Sequence, residues 1–339
     1  MNIVLHLKAR KRQQGVALIT VMLVIALASV IALEMNGRLV LQMQRTANIQ
    51  FNQQAYWYAM GAEAFAKRIL IKSQEENEKM THLQQLWAQA YKDFPVEFGQ
   101  ISGGITDLHA CLNLNALRDQ AADSPSGIVN KLPARVALEE LIVSLDIEGV
   151  SQFEAEYMAD SLTDWLDSND ALVSSGGAED NDYASKAHPY FTANHFVSSI
   201  NELRVVEHFT VPVITALKEY VCVIPQSNVH KININTLDKD KPKLLQALLG
   251  IDETKASDIF SARGDRGFET IDEFFSLPEM ASVTLTDDQK QQFVVDSEYF
   301  KLVANTSFAE SYFNLNAILK VESTKDVAVI SRTIGRFNE

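Results

Sequence analysis

Eighteen consecutive positions, Val16 to Leu33, carry no charge, and only Thr20 and Ser29 among them are polar. At 1.5 Å per residue such a helix is about 27 Å long, close to the ~30 Å hydrocarbon core of a bilayer. The first fifteen residues hold Lys8, Arg10, Lys11 and Arg12 and no acid, so this flank is expected to stay cytoplasmic while everything after Leu33 is exported. A cleaved secretory signal has the same order of charge and apolar run. Against it, the run is longer than an h-region of about 7–15 residues, and Glu34-Met35-Asn36-Gly37-Arg38 follows instead of a small-residue cleavage site. The helical pattern then continues. No proline occurs before Pro95, and apolar side chains return at Leu39, Met43 and Ala47 and again at Tyr58, Ala62, Phe65 and Ile69. These three- and four-residue steps predict one helix of about 60 residues over 16–78, roughly 90 Å long, whose C-terminal third needs a globular partner.

Further on, alternating or β-branched stretches predict strands at 105–114, 219–224, 298–304, 312–321 and 326–333. The intervals of about 116–212 and 235–293 are helical in period. The fold class is therefore α+β: one antiparallel sheet on the long helix, drawn from 96–115, 217–229 and 296–337, with helical modules at 116–212 and 230–293 inserted between its strands. Three hexapeptides echo one another: Leu112-Asn-Leu-Asn-Ala-Leu117, Ile232-Asn-Ile-Asn-Thr-Leu237 and Phe313-Asn-Leu-Asn-Ala-Ile318. In the first two, alternation gives way to helix, which makes Asn115 and Asn235 candidate N-caps. The third runs on as strand. A second echo pairs Phe196-x3-Ile200-x-Glu202-Leu203 with Phe268-x2-Ile271-x-Glu273-Phe274, and points to two related helical modules.

Composition narrows the function. The 339 residues are 47% hydrophobic and 22% charged, which excludes global disorder. Thirty basic against 44 acidic side chains give −14, which argues against a general nucleic-acid binder. The seven histidines show no metal-ligand spacing, and neither G-x-S-x-G nor a P-loop is present, so no catalytic residue is nominated and the chain is read as a non-enzyme.

Arg-Lys-Arg-Gln-Gln-Gly15, followed by Val16-Ala-Leu-Ile-Thr20 and the apolar helix, resembles a type IV prepilin leader, cut after the glycine by prepilin peptidase. The resemblance implies Gly15 as the last leader residue and Val16 as the new, methylated N-terminus, leaving 26 basic and 44 acidic side chains, a net −18. The family usually has Phe first and Glu fifth after the cut, where this chain has Val16 and Thr20. The missing carboxylate is a mark of the K-type minor pseudopilin of type II secretion systems. Further elements resemble that family: the Asn-Leu-Asn segment, Asp164-Trp165-Leu166-Asp167, Gly-Gly-Ala-Glu179-Asp180-x2-Tyr183, Asn201-Glu-Leu-Arg204 and Ile232-Asn-Ile-Asn-Thr236. The resemblance covers nearly the whole chain. It implies a pilin-like fold with large helical insertions (SAM-like and helix-hairpin-helix-like), and a single-pass place in the bacterial inner membrane with the C-terminal part in the periplasm. It also implies a position at the pseudopilus tip, where a subunit without the fifth-place acid has no neighbour above whose ammonium needs neutralising. The partners it implies are the I-type and J-type minor pseudopilins, the major pseudopilin, prepilin peptidase, the inner-membrane assembly platform and the exported proteins, with no nucleic acid.

Two further sites are expected. From Val136 to Ser185 there are thirteen acids and no Lys or Arg. Asp164, Asp167, Asn169, Asp170, Glu179 and Asp180 surround a turn-rich Ser174-Ser-Gly-Gly177, an oxygen-rich set suited to Ca²⁺ rather than zinc. The K-type resemblance implies calcium too, with Asp167, Glu179 and Asp180 the best ligands. The alternative is a solvated acidic loop. Cys111 and Cys222 lie in the first two predicted strands, and either bridge or stay buried as free thiols; an even count in an oxidising compartment favours the bridge. Residues 232–268 also resemble a helix-hairpin-helix module, the basis of an alternative reading as a membrane-tethered DNA-capture protein. Its hairpin, Gly250-Ile-Asp252-Glu253, places two carboxylates where a phosphate would sit, which opposes that reading.

Overall fold

The structure, a computed structural model, describes residues 15–77, 79–89, 93–118 and 131–335. The basic leader therefore lies outside the described residues. In chain order the regular elements are helix α1 (Val16–Glu76), strands β1 (Phe94–Val96), β2 (Gly99–Asp107) and β3 (Leu112–Asn113), then helices α2 (Pro133–Ser144), α3 (Gln152–Leu166), α4 (Asp180–Ala184) and α5 (Val211–Leu217). Strands β4 (Val221–Cys222) and β5 (Ile232–Asn233) precede α6 (Lys243–Leu249), α7 (Glu253–Arg263), α8 (Ile271–Phe275) and α9 (Asp287–Gln291). The chain ends in β6 (Phe293–Val294), β7 (Tyr299–Phe308), β8 (Ser311–Ser323) and β9 (Asp326–Ile334).

A single 61-residue helix forms, as the pattern predicts, and none of its first 18 residues is buried, which fits a membrane anchor. The face it buries differs from the expected one. Ala55, Ala59, Glu63, Ala66, Leu70 and Ser73 pack inward, whereas Phe65 is exposed and Tyr58, Ala62 and Ile69 are half-buried flanks. Small side chains let the helix approach the sheet closely, and the larger ones are displaced to either side.

The sheet has the order β1-β2-β7-β8-β9, antiparallel throughout, with α1 lying over β7 and β8. Gly99 and Gly103 hold β2 against β7: a Cβ at either would come within 2.0 and 2.3 Å of the Ser307 and Val303 carbonyl oxygens. Two expected strands are corrected. The predicted strand 105–114 runs instead over Gly99–Asp107, and segment 217–229 contributes nothing to this sheet. Its β4 pairs in parallel with β3, and β5 likewise with β6, so four two-residue strands stitch the helical part together. Six alternating residues fit either arrangement.

The helical modules share one hydrophobic core running from Leu112 to Phe293, with α2 packed on both α3 and α6. The sheet and α1 bury a separate one around Leu70, Trp87, Phe300 and Leu315. Between them, the Asp107 carboxylate at the end of β2 is buried. It accepts hydrogen bonds from His109 N (2.8 Å), Thr236 Oγ1 (2.6 Å) and Ser297 Oγ (2.6 Å). Asn233 Nδ2 extends the network by donating to Ser297 Oγ (2.7 Å) and to the Thr81 carbonyl (3.2 Å). Burial pushes the Asp107 carboxyl up despite these donors. Four chain segments far apart in sequence meet there, which fixes the head on the sheet.

Candidate functional site: the acidic loop and the paired asparagine clamps

Helix α3 starts from a capping box, Ser151 with Glu154, and its periodicity turns Asp160 and Asp164 inward one turn apart. Their environments differ. Asp160 is ion-paired with buried Arg135, which also binds Glu139 (2.8 Å), and receives the Ser174 hydroxyl. Among the described residues no Lys or Arg pairs with Asp164. Its Oδ1 accepts from Val173 N (2.9 Å), the Ala178 backbone N–H also lowers the carboxylate's pKa, and among the described residues the fully buried Oδ2 lies within no well-formed hydrogen bond. Gly177 lies against that oxygen, where a Cβ would sit 1.9 Å away.

Asp167 ends α3 and accepts from Asn169 N (3.0 Å); Asn169 in turn accepts from Ala171 N (2.8 Å), and Asp170 from Asn194 Nδ2 (3.2 Å). Glu179 is the N-cap of α4 and is buried, with Oε2 receiving Thr192 Oγ1 (3.3 Å) and Oε1 left unpartnered. Asp180 Oδ1 is occupied by Thr192 N (2.9 Å) and Oγ1 (2.5 Å). The electrostatics follow. Burial, with the charges of Asp167 and Asp160 adding to it, pushes Asp164 up to about 7. Glu179 is also pushed up to about 7, by burial and then by Asp164, Asp167 and Asp170. Burial raises Asp167 as well.

The fold thus brings Asp164, Asp167, Asp170 and Glu179 into one field, while Asn169 and Asp170 stand exposed and Asp180 turns to Thr192. Among the described residues no three of His, Cys, Asp or Glu stand around one point at metal-holding distance. The donor chemistry nonetheless fits a hard cation: all ligand candidates are oxygens, and among the described residues Asp164 Oδ2 and Glu179 Oε1 are buried without a well-formed hydrogen bond. Thr192, absent from the sequence reading, orients both Glu179 and Asp180. No local motif announces a threonine twelve residues downstream.

Cys111 and Cys222 form a disulfide with Cα atoms 5.8 Å apart. Cys222 lies in β4, and Cys111 stands just before β3 rather than within a long strand.

The hexapeptide repeats have a role other than the expected N-caps. Asn113, not Asn115, caps the short 3₁₀ turn Leu114–Leu117. Asn115 reaches across the module: Nδ2 donates to Val197 O (3.0 Å) and Ile224 O (2.9 Å), and Oδ1 accepts from Val197 N (2.9 Å). Asn235 does the same in the second module, gripping Phe268 N (2.7 Å) and Phe268 O (2.9 Å). The two sequence echoes are therefore two halves of one device, an asparagine in the first motif clamping the backbone of the second. At the hairpin of the second module, Gly250 adopts φ +63° and the Gly250 and Ile251 N–H groups both bond Gln246 O. Asp252 caps α7.

A long apolar-to-amphipathic helix on an antiparallel sheet carries the two clamped helical modules and the acidic loop. Models of type II secretion system protein K match residues 110–226 and 232–296. A type II secretion system protein K of Aeromonas hydrophila is 37% identical over 265 residues, covering 76% of this chain and 78% of its own. One from Klebsiella pneumoniae is 31% identical over 328 residues, covering 96% and 98%. In structure, the chain resembles one in the GspK-GspI-GspJ complex of the enterotoxigenic Escherichia coli type 2 secretion system. The TM-score is 0.75 at 32% identity, over 86% of this chain and all of that one. The chain belongs to the type II secretion system protein K family, and is a minor pseudopilin of that system.

Proposed function

We propose that this chain is the non-enzymatic tip subunit of a type II secretion pseudopilus, which starts fibre assembly together with I-type and J-type minor pseudopilins. In this reading it is cut at Gly15 and methylated at Val16 by prepilin peptidase. It spans the inner membrane once with its head in the periplasm, and meets the major pseudopilin, the assembly platform and exported proteins. The observation that carries the reading is Thr20. Its hydroxyl donates to the Val16 and Ala17 carbonyls (3.1 and 2.9 Å) of its own helix, so it offers no anion to a neighbour's ammonium in lipid. An internal subunit needs that anion; a cap does not. Counting labelled copies per pseudopilus tests this: one or two at an end is expected, and many along the length would refute it. Gly15→Leu is expected to leave a larger precursor and to block secretion, and normal processing would remove the leader assignment.

We further propose that the acidic loop holds Ca²⁺, with Asp164, Asp167 and Glu179 as carboxylate ligands. Asn169, Asp170 and Asp180 are the remaining side-chain candidates, and backbone carbonyls and water would complete the shell. The ion would supply the positive charge that the orphaned Asp164 and Glu179 oxygens lack. At a hundred times Kd it would add about 2.7 kcal/mol of stability, lost on chelation. An unchanged melting temperature with and without a calcium chelator would rule the site out.

A further inference from the structure

Asp160 and Asp164 stand one turn apart on the inner face of α3, and both are buried. Their surroundings sort them. Asp160 belongs to an ionic network with its own cations: Arg135 pairs with it and with Glu139 (2.8 Å), while Lys131 pairs with Glu139 (2.8 Å) and Glu156 (3.3 Å). Both Asp160 oxygens are taken, one by Arg135 and the other by the Ser174 hydroxyl. Asp164 instead accepts Val173 N (2.9 Å), from the loop that follows α3. Arg118, over the Phe196 ring at 4.3 Å, lends its charge to Asp167 at the start of that loop.

The loop is thus tied to α3 at two points, Asp160 through Ser174 and Asp164 through Val173. Ser174 Oγ also accepts Gly176 N (2.9 Å), and Gly177 N closes on Ser174 O (3.2 Å), so the shape of the turn hangs on Ser174. Only glycine fits at its far side: an added Cβ would enter the Tyr157 ring at Gly176 and the Asp164 carboxylate at Gly177. Two residues further on comes Glu179, whose buried carboxylate feels the charge of Asp164. Like charges brought together in a buried setting repel, and a slack loop would let these two part.

We propose that Arg135, Asp160 and Ser174 form a tether that positions the Ser174–Gly177 turn, and so holds the Asp164 and Glu179 carboxylates together for a divalent cation. The proposal rests on the calcium reading of the loop. The three act as positioning residues: Asp160 and Ser174 are occupied with one another, and Arg135 carries the wrong charge for a ligand. Because the tether holds the turn against repulsion, its benefit appears when an ion is bound. An ordinary packing contact would add the same stability with or without the ion.

The test titrates Ca²⁺ into the full-length, detergent-solubilised chain by calorimetry, and melts the same samples with and without a chelator. Ser174→Ala cuts the link between loop and network and leaves the Arg135–Asp160 pair in place. Ser174 is half-buried, so water takes over its bond to Asp160 and the fold survives. Calcium is expected to bind this variant about tenfold more weakly or worse, the range seen when partners of metal ligands are removed. Its melting temperature in chelator is expected to match that of the unaltered chain, and its gain on adding calcium to shrink. Arg135→Lys keeps the charge but cannot reach Glu139 and Asp160 together, and is expected to weaken binding in the same direction. An unaltered chain that takes up no calcium removes the calcium reading itself. An unaltered chain that binds, with both variants binding as tightly, removes the tether alone. So does a Ser174→Ala melting temperature that falls as far in chelator as in calcium.

Discussion

Replacing Asn235 with alanine would strip Phe268 of partners for both its N–H and its carbonyl, in a setting where Phe268 is 6% exposed. Each buried backbone group left unmade costs about 1–3 kcal/mol, so the two together set a range of about 2–6. A water entering the vacated space would bridge them in part, and the expected loss is about 3 kcal/mol. Asn115→Ala should cost more, because Asn115 holds three backbone groups on two segments, Val197 N, Val197 O and Ile224 O. Asn316, the matching position of the third hexapeptide, lies half-buried within β8, and its alanine variant should cost less than about 1 kcal/mol. Urea denaturation of the detergent-solubilised chain gives the three values, and hydrogen exchange around 263–275 locates the effect. A loss below 1 kcal/mol for Asn235→Ala, or equal losses for all three, would refute the clamp as a stabilising device.

His230 Nε2 donates to Gln292 Oε1 (2.7 Å), and burial holds its pKa down to about 4. The unfolded chain takes up that proton first, so stability is full above pH 6.5 and falls by about 3 kcal/mol by pH 4. His230→Gln should flatten this decline in urea midpoints measured across the window. Arg332→Ala leaves the 5%-exposed Glu63 carboxylate without its two bonds (2.6 and 2.8 Å), an expected cost of about 1–2 kcal/mol because Arg332 itself stands half in water. Arg332→Lys should recover less than half of that in thermal melts, since the paired geometry is lost. Reducing Cys111–Cys222, which spans 111 residues, should lower stability by about 2–4 kcal/mol; an unchanged midpoint in reductant would contradict it.

Helix α1 was legible because 60 residues without proline need no tertiary information to be read as helix. Its buried face was not, because hydrophobicity favours Phe65 and Ile69 while close approach to a sheet selects Ala55, Ala59 and Ala66. Strands β7 to β9 follow one another in sequence and pair with their neighbours, so alternation sufficed. Segment 219–224 alternates equally well, but its partner lies a hundred residues upstream and only two of its residues pair. At the acidic loop the residue types were plain in the sequence. Which carboxylates are buried depends on the inward face of α3 and on Thr192, and these are tertiary facts. Asn115 and Asn235 show the same limit: N-cap preference is local, whereas their partners are 82 and 33 residues away.

Along α1, Phe51 stacks against Phe308 of the sheet at 5.7 Å, and Ala55 is the first fully enclosed residue. Among the described residues, no side chain from Val16 to Gln50 is buried, an arm about 52 Å long at 1.5 Å per residue. The rigid joint around Asp107 makes the head follow that arm. A tilt of about 10° imposed within the bilayer would carry the head sideways by about 9 Å with no core contact changed. The molecule is a lever whose bearing lies outside itself: the direction in which the head faces is set by whatever grips the stick.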